Sequence, residues 1–152
     1  MTYLLDTSAI IGWLERSDSS LPPLLAGTST ALYHPVTLGE LHTGIVRATD
    51  DEREMRTNTL RFTTQRLEQV GDPVLPAEHF GALTAQFART LSHNDFWILA
   101  AAIATPGLTL ATEDTKFFDV ANSDELKAMV RRRGWVRPAC HLVESSPVLA
   151  QE

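Results

Sequence analysis

The sequence has little of what disulfide-stabilised and membrane-spanning proteins need. Its one cysteine, Cys140, excludes an internal disulfide framework and a cysteine-rich zinc module. Its longest apolar stretch, residues 96–104, is about half the length that a membrane helix requires. No basic segment precedes the first apolar run, and Asp6 interrupts that run, so no secretory signal is indicated. We therefore expect a soluble, cytoplasmic protein with no membrane partner.

Basic residues are also scarce, with 13 Lys and Arg against 19 Asp and Glu and a net charge of −6. Because phosphates are attracted by Lys and Arg, this balance argues against non-specific binding to nucleic acid. The argument weakens if several of the acids share a metal site. The 152 residues, 43% hydrophobic and 21% charged, suit one globular domain. We expect a single domain over residues 1–152, with a loose tail after about residue 145.

Apolar runs that end in turn residues alternate with helical patterns along the chain. Strands are predicted at residues 3–5, 31–34, 74–75, 108–111 and 139–143. Helices are predicted after Asp6, from Thr37, over 50–70, from Pro76, from about 92–95 to 104, and over 124–133. This alternation indicates an α/β fold with a parallel sheet.

Four acids hold related positions in this pattern. Asp6 and Asp114 follow predicted strands, and Glu40 and Asp95 lie in the first turns of predicted helices. Ligand sites of open parallel sheets form at the carboxyl ends of the strands, so we expect the four to converge there. Two carboxylates about 6 Å apart repel by roughly 3 kcal/mol at an effective dielectric of about 20. Such a cluster would raise its own pKa values or recruit a divalent cation, for which oxygen ligands favour Mg²⁺ or Mn²⁺.

Each of the four acids also has a purely local interpretation. The spacings Thr37 to Glu40 and Ser92 to Asp95 match the helix capping box. Asp6 suits an ordinary helix N-cap, and Asp114 suits a turn. Only their common placement at one edge of the sheet favours a site, and that placement depends on the predicted fold.

Four motifs around these acids resemble those of the PIN-domain ribonucleases, and most closely the VapC-type toxins of bacterial toxin–antitoxin pairs. The motifs are LLDTSAII at residues 4–11, TLGEL at 37–41, NDFWILAA at 94–101, and LATED at 110–114 followed by Phe117. Their order and spacing agree with that family over about residues 2–120.

The resemblance implies a three-layer sandwich in which helices flank a central, mostly parallel sheet. It implies that Asp6, Glu40, Asp95 and Asp114 bind one or two Mg²⁺ or Mn²⁺ ions and hydrolyse RNA phosphodiesters, supported by Thr7 and Thr112. It also implies a homodimer that a cognate antitoxin holds inactive.

Two features depart from the family pattern. Many relatives carry a further acid where this chain has Lys116, which leaves a second metal open, although Glu113 or Asp119 could compensate. The segment after Val120 is longer than usual, and the resemblance does not explain it.

Outside the four motifs, the densest positive patch is Arg131, Arg132 and Arg133. It could contact RNA or an acidic antitoxin segment, or it could be a solvated helix end that complements the helix dipole. Trp13 and Trp97 are expected in the core or at a dimer interface.

Three other functions compete with the toxin hypothesis. The chain could be a catalytically silent binding module on the same fold or a ribonuclease of RNA processing. A phosphatase of the haloacid-dehalogenase type is disfavoured, because that chemistry needs an acid where this chain has Ser8.

Overall fold

A parallel five-stranded sheet forms the centre of the computed structural model, which describes residues 1–16, 19–25, 29–71 and 74–144. The sheet order is β3-β2-β1-β4-β5, and all four neighbouring pairs are parallel. Strand β1 lies in the middle, where Tyr3 is in register with Ala31 on one side and Thr109 on the other. The strands are β1 Thr2–Leu5, β2 Thr30–Tyr33, β3 Glu68–Gln69, β4 Leu108–Thr112 and β5 Ala139–Leu142.

Eight helices occur in the described part of the chain, and they cover both faces of the sheet. Their bounds are α1 Thr7–Glu15, α2 Leu21–Leu24, α3 Pro35–Arg47, α4 Asp50–Arg66, α5 Val74–Phe87, α6 His93–Ala104, α7 Thr115–Ala121 and α8 Asp124–Arg133. The expected α/β fold with three layers and a parallel sheet is therefore confirmed.

Alternating side chains of the strands divide the core into two halves. Leu4 and Leu110 face a cluster built mainly from α5, α6, α7 and α8. Leu5 and Ala111, one residue further along the same strands, face a second cluster that includes Ile10 of α1. Because strand side chains alternate between faces, one short strand supplies both halves of the core. The apolar helix α6 is buried on nearly all sides, as its sequence predicts.

Three sequence-based boundaries are wrong. The helix predicted over residues 50–70 ends at Arg66, and residues 68–69 form strand β3 instead. Residues 74–75 were expected to form a strand, but they begin helix α5, and the sheet edge is instead the two-residue strand β3. Helix α3 begins at Pro35 and not at Thr37, because His34 caps it through Nδ1, which accepts from the Val36 N–H at 3.1 Å. Glu40 therefore lies in the second turn of α3, and Thr37 does not cap the helix.

The long segment after Val120 completes the sheet. Helix α8 buries Leu126, Met129 and Val130 in the core, and Gly134, whose φ is 70°, caps its C-terminal end. The chain then forms the edge strand β5 beside β4. The predicted loose tail after about residue 145 lies outside the described residues. No helix in the described ranges is long and apolar enough to cross a membrane.

Candidate active site at the carboxyl edge of the sheet

Asp6 lies where the central strand β1 ends and caps helix α1. One carboxylate oxygen, Oδ1, accepts hydrogen bonds from the Ala9 N–H at 2.9 Å and from the Ser8 hydroxyl at 2.7 Å. The other oxygen, Oδ2, accepts a hydrogen bond from the Thr112 hydroxyl. The Asp6 residue is only 2% exposed. Asp6 therefore has the expected N-cap role, and its carboxylate is almost completely shielded from water.

Burial dominates the electrostatics of Asp6. It raises the pKa of this carboxyl to about 7, although the hydrogen bonds from Thr112, Ala9 and Ser8 lower it, and the charge of Asp95 raises it further. Within the described ranges, none of the four predicted acids forms an ion pair with Lys or Arg. Asp6 is thus a buried acid that has hydrogen-bond donors and no cation.

Thr112 connects the ends of strands β1 and β4. Its hydroxyl donates to Asp6 and accepts the Asp114 N–H at 2.9 Å. Asp114 in turn caps helix α7, where its Oδ1 accepts from the N–H groups of Lys116 at 2.9 Å and Phe117 at 3.3 Å. Parallel pairing of the two strands therefore places Asp6 and Asp114 at the same edge of the sheet.

Glu40 reaches this edge from helix α3 through Thr7. The Thr7 hydroxyl donates to Glu40 Oε1 at 2.9 Å and lies 3.0 Å from the Thr37 hydroxyl. Burial raises the pKa of Glu40, the Thr7 hydrogen bond lowers it, and the charge of Asp95 raises it. Thr7 thus holds the Glu40 carboxylate of α3 against the start of α1.

Asp95 is the acid that interacts with all the others. It lies in the first turn of α6, and its backbone N–H donates to the Ser92 hydroxyl at 3.2 Å. Burial raises the pKa of Asp95, hydrogen bonds from Ser92 lower it, and the charge of Asp114 raises it. Asp95 itself raises the pKa of both Asp6 and Glu40. The predicted capping at Ser92 and the predicted proximity to the other acids therefore coexist.

The donor set fits a hard divalent cation that keeps part of its water shell. All the candidate ligands are carboxylate oxygens, which Mg²⁺ and Mn²⁺ prefer. In the described part of the chain, no three His, Cys, Asp or Glu side chains are gathered into a ready metal cage. Mg²⁺ is commonly held by one or two carboxylates together with waters, so this open arrangement suits it better than a closed structural site.

Three residues near the acids differ from, or add to, the sequence-based expectation. Ser8, considered only as a missing acid, donates to Asp6 and accepts the Glu113 N–H at 3.0 Å. The Glu113 side chain is 8% exposed and lies 3.7 Å from Arg16, and its Oε1 contacts no hydrogen-bond donor among the described residues. Lys116 is exposed where many relatives carry an acid. The sequence signal for this role of Ser8 was its position, two residues after Asp6, where a hydroxyl can donate to the capping carboxylate.

The three arginines predicted as partner contacts lie at the end of α8. Arg132 contacts Gln86 of α5 at 3.4 Å, and the Arg133 guanidinium lies 5.1 Å from the centre of the Trp135 ring. All three are exposed, and none forms an ion pair with an acid of the described ranges.

The chain shares its fold with several solved VapBC structures. The chain is similar to VapBC2 from Rickettsia felis, solved with a promoter DNA fragment, with 22% identity, a TM-score of 0.68, and coverage of 95% of this chain and 100% of that one. For VapBC-5 from Mycobacterium tuberculosis the identity is 28%, the TM-score 0.61, and the coverage 80% and 92%. VapBC-1 from nontypeable Haemophilus influenzae shares 19% identity, with a TM-score of 0.61 and coverage of 93% and 98%.

A comparison with curated proteins found no match. The family model of the PIN domain matches residues 3–123, which include all four acids and the strands and helices that carry them. Both the ordered motifs and the sheet topology agree with that match, and the chain belongs to the PIN domain family.

Proposed function

We propose that this protein is a metal-dependent endoribonuclease that hydrolyses RNA phosphodiester bonds at the carboxyl edge of its sheet. The observation that carries the proposal is a set of acids without countercharge: Asp6 is buried without a cation, and the charge of Asp95 interacts with Asp6, Glu40 and Asp114, which are the other three acids. Keeping such a set ionised near neutral pH requires positive charge from outside the chain.

The four acids form two pairs, which lie on different kinds of element. Asp6 and Asp114 are held at adjacent strand ends by Thr112, and they would position an ion at the edge of the sheet. Glu40 and Asp95 project from helices that meet this edge, and Thr7 orients Glu40. A Mg²⁺ or Mn²⁺ ion held there would supply positive charge to the phosphate and acidify the attacking water.

The same site supports a role as the toxin of a toxin–antitoxin pair. The structural neighbours were solved as VapBC pairs, and a toxin of this kind would act in the cytoplasm as a homodimer neutralised by a cognate antitoxin. A cleft of about 470 Å³ lies between α1 and α4, and its lining includes apolar side chains such as Leu14 and Phe62 together with Asp51 and Glu54. This lining suits a partner segment that carries apolar and basic side chains. The exposed side chains of Arg131, Arg132 and Arg133 would then contact RNA rather than the antitoxin, because the cleft proposed for the antitoxin is acidic.

RNA cleavage with purified protein tests the proposal. We expect cleavage with Mg²⁺ or Mn²⁺, none in excess EDTA, and a loss of at least about 100-fold for Asp6→Asn and Asp95→Asn, since each removes charge that acts on the transition state. The matched control is Asp124→Asn, whose side chain is 99% exposed at the start of α8 and which should keep wild-type activity.

Cleavage that persists in EDTA or in both variants would refute the proposal. A wild-type protein that binds neither metal nor RNA substrate would instead indicate a catalytically silent module. The toxin assignment is tested separately, by asking whether the product of a small neighbouring open reading frame copurifies with the protein and suppresses its activity. A ribonuclease of RNA processing would have no such inhibitor.

A further inference from the structure

A second cleft lies next to the acids and is not used by the chemistry above. It opens at the carboxyl ends of β2 and β3, beside the start of α6, and has a volume of about 370 Å³. This volume is at the low end of the roughly 300–1,000 Å³ typical of small-molecule sites. The residues that line it include His34, Val36, Gln69, Val70, Pro76 and Trp97.

Two aromatic rings form facing walls of this cleft. The His34 and Trp97 rings are 6.5 Å apart between centres and are inclined by only 26°. Two van der Waals contacts of 3.5–4.0 Å, one on each side of a planar ring, need about 7 Å. The 6.5 Å between the ring centres is slightly less than this distance, so a planar ligand would enter between the two rings only if they moved apart slightly. The Trp97 ring is held in place by its stacking on Phe80, at 4.0 Å and 11°.

The polar groups of the cleft suit a neutral ligand with hydrogen-bonding edges. His34 Nδ1 accepts from the Val36 N–H, so the neutral ring carries its proton on Nε2, and burial lowers the pKa of this histidine. The exposed Gln69 amide, which can donate and accept, has no side-chain hydrogen bond to any residue in the described ranges. No Lys or Arg lines the cleft, so it does not attract a phosphate.

The cleft is close to the site of cleavage. Tyr33 at the end of β2 is in register with Leu5 at the end of β1, so His34 and Asp6, which follow them, lie at neighbouring strand ends. His34 caps the helix that carries Glu40. The cleft and the acids therefore open at the same edge of the sheet, where one RNA strand could reach both.

We propose that this cleft binds one unstacked base of the RNA substrate, between His34 and Trp97, with Gln69 reading the edge of the base. The inference rests on the proposed ribonuclease function and adds a specificity site to it. Single-stranded RNA is generally recognised by stacking on aromatic side chains and by hydrogen bonds to base edges. Trp97 and Gln69 are thus specificity-determining residues, and the acids remain the catalytic ones.

Binding to the cleft can be measured without catalysis. The ¹⁵N-labelled wild-type protein is titrated in EDTA with adenosine, guanosine, cytidine and uridine, and with ribose as a base-free control. The indole N–H signal of Trp97, assigned by its loss in Trp97→Phe, is expected to shift saturably with at least one nucleoside and not with ribose. The Trp13 signal, from the opposite face of the sheet, should not move.

Two outcomes of this titration would overturn the proposal. One is a Trp97 signal that no nucleoside moves. The other is a Trp97 signal that responds to dilution of the protein rather than to nucleosides, which would assign the cleft to a contact between copies of the chain.

Cleavage kinetics test the same cleft during turnover. For an oligonucleotide with a mapped cleavage site, an abasic nucleotide beside the scissile bond should lower kcat/KM about 10-fold, as expected for one lost base stack. Trp97→Leu should lose a similar factor on the intact RNA and little more on the abasic RNA, and Trp97→Phe should restore part of it. Equal losses on both RNAs would show a merely structural role and overturn the proposal.

Gln69→Ala separates edge reading from stacking. It should change the relative kcat/KM among RNAs that differ only in the flanking base, whereas Gln65→Ala, an exposed glutamine of α4, should not. Unchanged base preference in Gln69→Ala would remove the edge-reading role. If the wild-type protein cleaves no RNA, the ribonuclease proposal fails, and the nucleoside titration still decides whether the cleft binds a base.

Discussion

The carboxyl edge of the sheet and the first turn of α4 are both rich in acids, but they treat those acids in opposite ways. In α4 the acids are at the helix start, and arginines one turn later pair with them: Arg53 with Asp50 at 2.8 Å and Arg56 with Glu52 at 3.4 Å. At the sheet edge, Asp6 is almost completely buried and has only hydrogen-bond donors as partners. The difference shows that acid content does not mark a site, whereas burial without countercharge does.

The largest expected difference between the two regions is in the pH dependence of stability. The pKa of Asp6 is raised from 3.8 to about 7 in the folded protein, so the folded state binds the proton more tightly and loses stability as the pH rises between these values. In EDTA, the unfolding free energy of Asp6→Asn relative to wild type should therefore grow by about 4 kcal/mol from pH 4 to pH 8.

Urea unfolding at several pH values measures this difference. Asp50→Asn is the comparison in α4, and because the Asp50 side chain is 95% exposed, no comparable trend is expected. If the stability of Asp6→Asn relative to wild type does not change with pH, the pKa of Asp6 is not raised in the folded protein.

The second prediction is that a divalent ion stabilises the protein through the sheet edge. At about 100 times its dissociation constant, an ion that binds only the folded state adds about 2.7 kcal/mol, which raises Tm by about 5–10 °C. Asp95→Asn should lose most of this increase, since Asp95 interacts with the other three acids. Glu54→Gln in α4 should keep it; an equal loss in both variants would point to non-specific screening of charge.

The smallest expected effect is at the exposed pairs of α4. Asp50→Asn removes the pair with Arg53, and at this level of exposure the cost should be no more than about 0.5 kcal/mol in low salt. Most of that cost should vanish in 1 M NaCl. Unfolding at low and high salt measures it, and a cost above about 1 kcal/mol would mean that the two regions are more alike than their exposure indicates.

Elements with local sequence signals are the ones that the sequence predicts best. Helix α8 matches its predicted bounds, because its cap, amphipathic pattern and terminal glycine are all adjacent in sequence. Strand β3 has no such signal: Glu68 and Gln69 are exposed, and only pairing with β2 makes them a strand. Two apolar residues at 74–75 favour a strand and Pro76 favours a helix start, but helix α5 begins two residues before that proline.

The candidate site shows the same limit. The four acids were identified from their positions at predicted strand ends and helix starts, but neither the hydrogen bond from Ser8 to Asp6 nor the neighbouring rings of His34 and Trp97 could be predicted. The rings lie on elements that meet only in the folded chain, and Trp97 was expected merely in the core or at a dimer interface. Sequence spacing thus indicates which residues carry the chemistry, and the tertiary arrangement indicates what else lies beside them.

The family match ends at residue 123, yet three buried side chains of α8 and a whole strand come after it. A chain shortened to the matched region would leave β4 with an unpaired edge and an uncovered apolar face. Bare strands of this kind readily recruit other chains. Anyone who trims this protein for crystallisation or for fusion to a reporter should expect insoluble aggregates rather than a smaller nuclease.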